Sequence, residues 1–255
     1  MTDPICALLY GHWKDQTRLG ALPVRPADRA AAYRIQAGIE DFSTALLFGW
    51  KIAATSLAGQ KHIGVDGPMA GRLLAERRVP DGGATPLGNN LMRVAEMEFA
   101  FRMAQDLPPR PQPYAQDEVL AQVSALHPAI EIPDSRYNDF VTAGEAQLIA
   151  DNACAHRYVI GAATSFDWRA LDLAAHKVRA LRNDAVAEDG TGANVLGDPR
   201  IALTWLANEL SRLDLILKAG QVVMTGTCVK PLAIAVGDRI AGDFGVLGTV
   251  SVTIA

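Results

Sequence analysis

The sequence predicts a single α+β domain over residues 1–255, in which a helical front end (1–45) packs on a strand-rich core of barrel or sandwich type. Three observations predict it. Apolar residues in the first forty positions recur at helical spacing. Val94–Met103 alternates with the period of a strand. Beyond Arg157 the chain breaks into short β-prone runs separated by Gly and Asp, the turn spacing of a closed or two-layered sheet. No internal repeat or low-complexity linker divides it.

Taken in order, Ile5–Trp13 is a short amphipathic helix, closed by polar residues, Gly20, Pro23 and Pro26. Asp28–Asp41 forms a second, with Ala32, Ile35, Gln36 and Ile39 on one face. Leu46–Thr55 reads as a buried strand carrying one lysine, Lys51. Gly64-Val65-Asp66-Gly67-Pro68 is a turn signal, and Pro80-Asp81-Gly82-Gly83 a loop. Pro108–Pro113 is a surface excursion, and Ala115–Leu126 a helix with Val119, Leu120, Val123 and Leu126 apolar. Arg157–Gly161 and His176–Leu181 are strands. Asp198 as N-cap and Pro199 at the first helical position open a helix through Ile201, Trp205, Leu206 and Leu210. Gln221–Thr227, Ile234–Ile240 and Gly248–Ala255 complete the strands.

Composition excludes several classes of function. The formal charge is −4 with no Lys/Arg block, so nucleic acid is not an expected partner. No apolar run reaches the roughly 18 residues of a membrane helix. The start, Met1-Thr2-Asp3-Pro4, lacks the basic opening of a signal peptide, which predicts a cytoplasmic enzyme or binding protein. Cys6, Cys154 and Cys228 are widely spaced with no CxxC, and imply neither a disulfide frame nor a zinc site. Cys154 and Cys228 read as small packing residues.

The chemistry concentrates on Val94–Met103. Met97, Phe99, Phe101 and Met103 face the core, which turns Glu96 and Glu98 together to the other side. Like charges at adjacent same-face positions repel, so they require either open water or a cation. Glu131, between the apolar Ile130 and Ile132, repeats the pattern on another segment. Three carboxylates without Cys or a His pair have the composition of a magnesium or manganese site. Such a site leaves about three positions for a chelating substrate; the alternative is a solvated outer face. Lys51 between Trp50 and Ile52 suits a proton shuttle or an enolate-steadying cation if buried. The pattern alone favours a strand-end lysine whose ammonium reaches water. Asp66 alone reads as a turn former. Asp151-Asn152 is either an active-site loop or a helix cap. Thr225-Gly226-Thr227 either offers donors to a carboxylate or makes a tight turn. His127 reads as a surface residue.

Together these segments resemble one family. Lys51, Gly64-Val65-Asp66-Gly67-Pro68, Glu96-Met97-Glu98, Glu131 with Asp134-Ser135-Arg136-Tyr137, and Ala150-Asp151-Asn152-Ala153 follow its order. So do Gly197-Asp198-Pro199, Met224-Thr225-Gly226-Thr227 and Val236-Gly237-Asp238-Arg239. The chain is similar to the 2-hydroxypentadienoate (2-keto-4-pentenoate) hydratases and 4-oxalocrotonate decarboxylases of the fumarylacetoacetate hydrolase superfamily. The resemblance implies a mixed β-roll with peripheral helices, a homo-oligomer, and magnesium (or manganese) held by Glu96, Glu98 and Glu131. It implies Lys51 and Asp66 as catalytic residues, with Asp151, Asn152, Thr225 and Thr227 as substrate-binding candidates. The implied reaction is hydration of 2-hydroxy-2,4-dienoates to 4-hydroxy-2-oxo acids in aromatic catabolism, with decarboxylation of a 4-oxalocrotonate-type acid on the same chelate as the rival. A silent subunit complexed with a sister hydratase or decarboxylase is a further alternative. It is prompted by Ile52-Ala53-Ala54-Thr55 after Lys51, where the family has a Val-Gly-Leu-Thr-like run.

Overall fold

The computed structural model describes residues 2–255. Two helices lead, α1 (Pro4–Asp15) and α2 (Arg29–Ala37). Asp3 caps α1 by accepting the Ile5 and Cys6 N–H groups, and Asp28 caps α2 through Ala31 N–H. Then come β1 (Gly49–Ala53), α3 (Leu57–Ile63), β2 (Met69–Leu73), β3 (Arg78–Val79), β4 (Ala84–Thr85) and β5 (Val94–Met103). The middle of the chain holds α4 (Gln116–Ala121), β6 (Val123–Ile132), α5 (Glu145–Ala150) and β7 (Arg157–Ile160). The last part adds β8 (Lys177–Arg182), β9 (Ala185–Thr191), α6 (Pro199–Arg212), β10 (Val222–Thr227), β11 (Leu232–Ala233), β12 (Arg239–Asp243) and β13 (Thr249–Ile254).

The larger, mixed sheet runs β2-β1-β10-β5-β6-β7-β3, with β11 pairing the start of β5. The smaller runs β4-β13-β12-β8-β9. Met97 and Phe99 pack toward the smaller sheet, where Phe244 meets Phe99 edge-on at 5.3 Å, and Phe101 meets Trp168 at 5.6 Å. The opposite face of the larger sheet is also closed. Leu73, Ala100, Ala129, Tyr158, Ile160, Val222 and Met224 form a second apolar cluster there, beside Glu96 and Glu98. A flat sheet would hold β1 about 14 Å from β6, three strand spacings away. Lys51 Nζ on β1 nevertheless stands 3.1 Å from Glu131 on β6. The sheet therefore curls, and its concave face is an interior.

The expected architecture holds, with local corrections. The helix expected over Ala115–Leu126 ends at Ala121. Residues from Val123 onward pair with β5, and Pro128 disfavours helix just before it. Leu46, expected inside a strand, is 89% exposed, and β1 begins at Gly49. Of Ile234–Ile240 only the last two residues join a strand, because Gly237 turns the chain at φ 94°. Ala53 stands where the family's glycine was expected; it stays extended opposite Met69, and the left-handed residue is Ala54 at φ 57°. Among the described residues no helix is long and apolar enough to cross a membrane.

Candidate metal centre

Glu96 and Glu98 project from β5 into the concave face, and Glu131 from β6. The register sets Glu96 directly opposite Glu131, with Glu98 opposite Ala129. One oxygen of each carboxylate lies within 4.8 Å of the others. Glu98 is 0% exposed and Glu131 1%, so a solvated outer face is excluded for both; Glu96 is partly reached by solvent. Burial, then the charge of Glu131, pushes the Glu96 carboxyl up to about 7, with Lys51 opposing. Burial and both neighbouring carboxylates push Glu98 well above the usual range. Burial raises Glu131 as well, despite its ion pair with Lys51.

Hydrogen bonding leaves this cluster incomplete. Glu98 Oε2 accepts the Gly226 N–H at 2.7 Å. Glu98 Oε1 and both oxygens of Glu131 are buried without a hydrogen bond. The Lys51 ammonium stands 3.1 Å from Glu131 Oε2 as an ion pair. Buried unbonded carboxylate oxygens are costly, and converging carboxylates are the donor set of a hard divalent cation. The residues present therefore fit such an ion.

Lys51 is 2% exposed, so its ammonium does not reach water as its strand position suggested. Nζ donates to the Ala153 carbonyl at 3.0 Å. Burial alone would lower its pKa, but Glu131, Glu96 and Glu98 outweigh that and raise it, which keeps the amine charged.

The remaining candidates are distributed differently. Asp151 is buried and fully engaged: it accepts from Ser135 Oγ at 2.9 Å and Arg136 N–H at 3.0 Å, and pairs with the Arg136 guanidinium. Asn152 is equally engaged with the Arg72 backbone. Both sit one layer behind Lys51, with no side-chain atom free for a substrate. Thr225 is buried, its hydroxyl donating to Phe99 O at 3.0 Å, and half-buried Thr227 donates to Val229 O at 2.7 Å. The donor this turn supplies to the centre is the Gly226 N–H. Asp66 is exposed in the turn after α3, and the structure does not bring it to the carboxylates. His127 is buried rather than superficial, with Nδ1 2.9 Å from Gly161 O. Of the two readings of Thr225-Gly226-Thr227, a donor to a carboxylate is present as the Gly226 N–H; sequence reasoning missed Gly71 and Ala153 O because backbone groups carry no side-chain signature.

No family model matches the chain. Over 263 residues it is 33% identical to 2-keto-4-pentenoate hydratase 1 of Dechloromonas aromatica (strain RCB), covering 100% of this chain and 97% of that one. A 4-oxalocrotonate decarboxylase of Pseudomonas putida is 34% identical over 205 residues, covering 80% of this chain and 76% of that one. The solved structure of 4-oxalocrotonate decarboxylase from Pseudomonas putida G7, complexed with magnesium and adipate, superposes with a TM-score of 0.88. That match has 27% identity, over 98% of this chain and 96% of that one. Curled sheet, carboxylate trio and end-to-end likeness agree: the chain belongs to the 2-keto-4-pentenoate hydratase and 4-oxalocrotonate decarboxylase family of the fumarylacetoacetate hydrolase superfamily.

Proposed function

We propose that this protein is a divalent-metal-dependent lyase that adds water to 2-hydroxy-2,4-dienoates to give 4-hydroxy-2-oxo acids. The observation that carries the reading is the meeting of three carboxylates, with buried unbonded oxygens on Glu98 and Glu131, and one buried ammonium, Lys51. Glu96, Glu98 and Glu131 would hold magnesium, with manganese as a substitute. A cation there supplies Lewis-acid polarisation of a chelated carboxylate and 2-oxygen.

The chain's own residues supply the rest. Gly226 N–H fixes one oxygen of Glu98, which orients that carboxylate before any ion arrives. Lys51 keeps a positive charge beside Glu131 and is the group we assign to carry the proton during ketonisation. The apolar cluster of Ala100, Ala129, Ile160 and Met224 beneath the trio excludes water from that side. Asp66 would contribute only if the 64–68 turn folded inward, so the proton is left with Lys51.

A decarboxylase on the same chelate is the second reading, favoured by the TM-score of 0.88 to a decarboxylase. Purified protein, with magnesium or with chelator, is supplied with 2-hydroxypenta-2,4-dienoate and with 4-oxalocrotonate, and products are identified by mass. Metal-dependent water addition to the first supports the hydratase. Carbon dioxide released from the second replaces it by the decarboxylase. Magnesium binding without turnover of either points to the silent subunit, whose complex with a sister enzyme, like the homo-oligomer the family implies, is read from the mass of the assembly in solution.

A further inference from the structure

The segment Asn152-Ala153-Cys154 is unusual in its backbone. All three residues are left-handed, at φ 53°, 49° and 60°. Asn tolerates that region, but Ala and Cys do not favour it, and a run of three must be held by its surroundings. Part of the hold is the Asp151–Arg136 pairing before it and the Ala155 N–H donated back to Asn152 O at 2.9 Å.

The other part is the Asn152 side chain. Its Oδ1 accepts the Arg72 N–H at 2.6 Å and its Nδ2 donates to the Arg72 carbonyl at 2.9 Å. The amide therefore pairs with β2 as a neighbouring strand's backbone would, satisfying both groups of one residue. Next to that pairing, β2 has a glycine. A Cβ on Gly71 would stand 2.5 Å from the Asn152 carbonyl oxygen and 3.1 and 3.2 Å from Cδ and Cγ of Lys51. Only a bare backbone lets the left-handed segment and the lysine stem approach β2 together. The segment ends its task at the Ala153 carbonyl, which receives the Lys51 ammonium at 3.0 Å. That neutral acceptor fixes one N–H of an ammonium otherwise pulled by three carboxylates.

We propose that Asn152 is a positioning residue for Lys51: its side-chain amide clamps the left-handed segment to β2, so that the Ala153 carbonyl holds the ammonium in place. Its consequence for turnover rests on the lyase reading above; its consequence for the ammonium does not.

The test is Asn152→Gly, which keeps the backbone conformation accessible while deleting the clamp. Two quantities are read: steady-state kcat and KM with magnesium, and, in metal-free protein, the rate of Lys51 acylation by acetic anhydride followed by peptide mass. The expected result is a fall in kcat of roughly 10- to 100-fold with KM within about threefold, together with acylation of Lys51 at least about tenfold faster. Gly71→Ala, which drives a methyl into the same junction, is expected to change both in the same direction and serves if Asn152→Gly does not fold. A merely structural role lowers the melting temperature and leaves both quantities within about twofold, which overturns the proposal. A change in only one of the two overturns it as well. Should the wild type turn over neither substrate, the lyase reading fails and the acylation rate alone decides the clamp.

Discussion

Glu96→Gln should make the metal-free protein more stable while abolishing its response to metal. The reason is the cost of ionising the cluster. Without metal the Glu96 carboxyl is pushed up to about 7 from the ordinary 4.5. The folded protein therefore keeps a proton that the unfolded chain releases between those values. A raised carboxylate pKa subtracts stability as pH climbs through that window, and the loss is complete above about pH 7. At about 1.36 kcal/mol per unit the full loss is on the order of 3 kcal/mol; partial access of Glu96 to solvent reduces it to about 2 kcal/mol. Glutamine has the same shape and no charge to ionise, so at pH 8 the metal-free variant should gain about 2 kcal/mol. That corresponds to roughly 4–8 °C for a chain of this size. At pH 5, where wild-type Glu96 is already protonated, the two should melt together. Excess magnesium reverses the order. At a hundred times its Kd it should stabilise the wild type by about 2.7 kcal/mol and leave the variant unmoved. Thermal melts of both proteins, at both pH values, with chelator and with magnesium, decide it. A metal-free variant less stable than wild type at pH 8, or one still stabilised by magnesium, would refute the reasoning.

Three further outcomes follow from the same geometry. Magnesium affinity should rise with pH through about 7, because binding must expel the proton on Glu96; calorimetry in two buffers of different ionisation enthalpy counts the protons released. Lys51→Met should lower kcat at least about 100-fold without weakening magnesium, since it removes a competing cation beside Glu131; a variant with near wild-type turnover would remove Lys51 from the chemistry. Gly226→Ala should cost more than about 2 kcal/mol and weaken metal binding. The residue is at φ 101°, a Cβ would stand 2.0 Å from Thr55 Oγ1, and its N–H holds Glu98; unchanged denaturant midpoint and affinity would contradict this.

Much of the site could be read from residue types alone. Alternation along Val94–Met103 separates the two glutamates from Met97 and Phe99, and the structure keeps that division. What alternation could not reveal is that both faces are inside. The apolar residues beside Glu98 are spread over Leu73, Ala100, Ala129, Tyr158, Val222 and Met224, on strands distant in sequence. Ala115–Leu126 shows the opposite failure: its spacing fits a helix, and pairing with β5 from Val123 onward claims its end. β9 gave no signal, because its residues are mostly exposed and it is held by backbone pairing with β8.

The sequence by itself determined the local decisions: Asp198 as a cap, Pro199 at the head of α6, the strand period of β5, and a donor set of three carboxylates with one lysine. These depend on neighbours a few residues apart, whose geometry the chain fixes covalently. Only the tertiary structure decided that Lys51 is buried against Glu131, that the Asp151 and Asn152 side chains are spent on Arg136 and on the Arg72 backbone, and that Asp66 stays in solvent. Those facts depend on the curl of a mixed sheet, a sum of twist and packing over eight strands that no local pattern encodes.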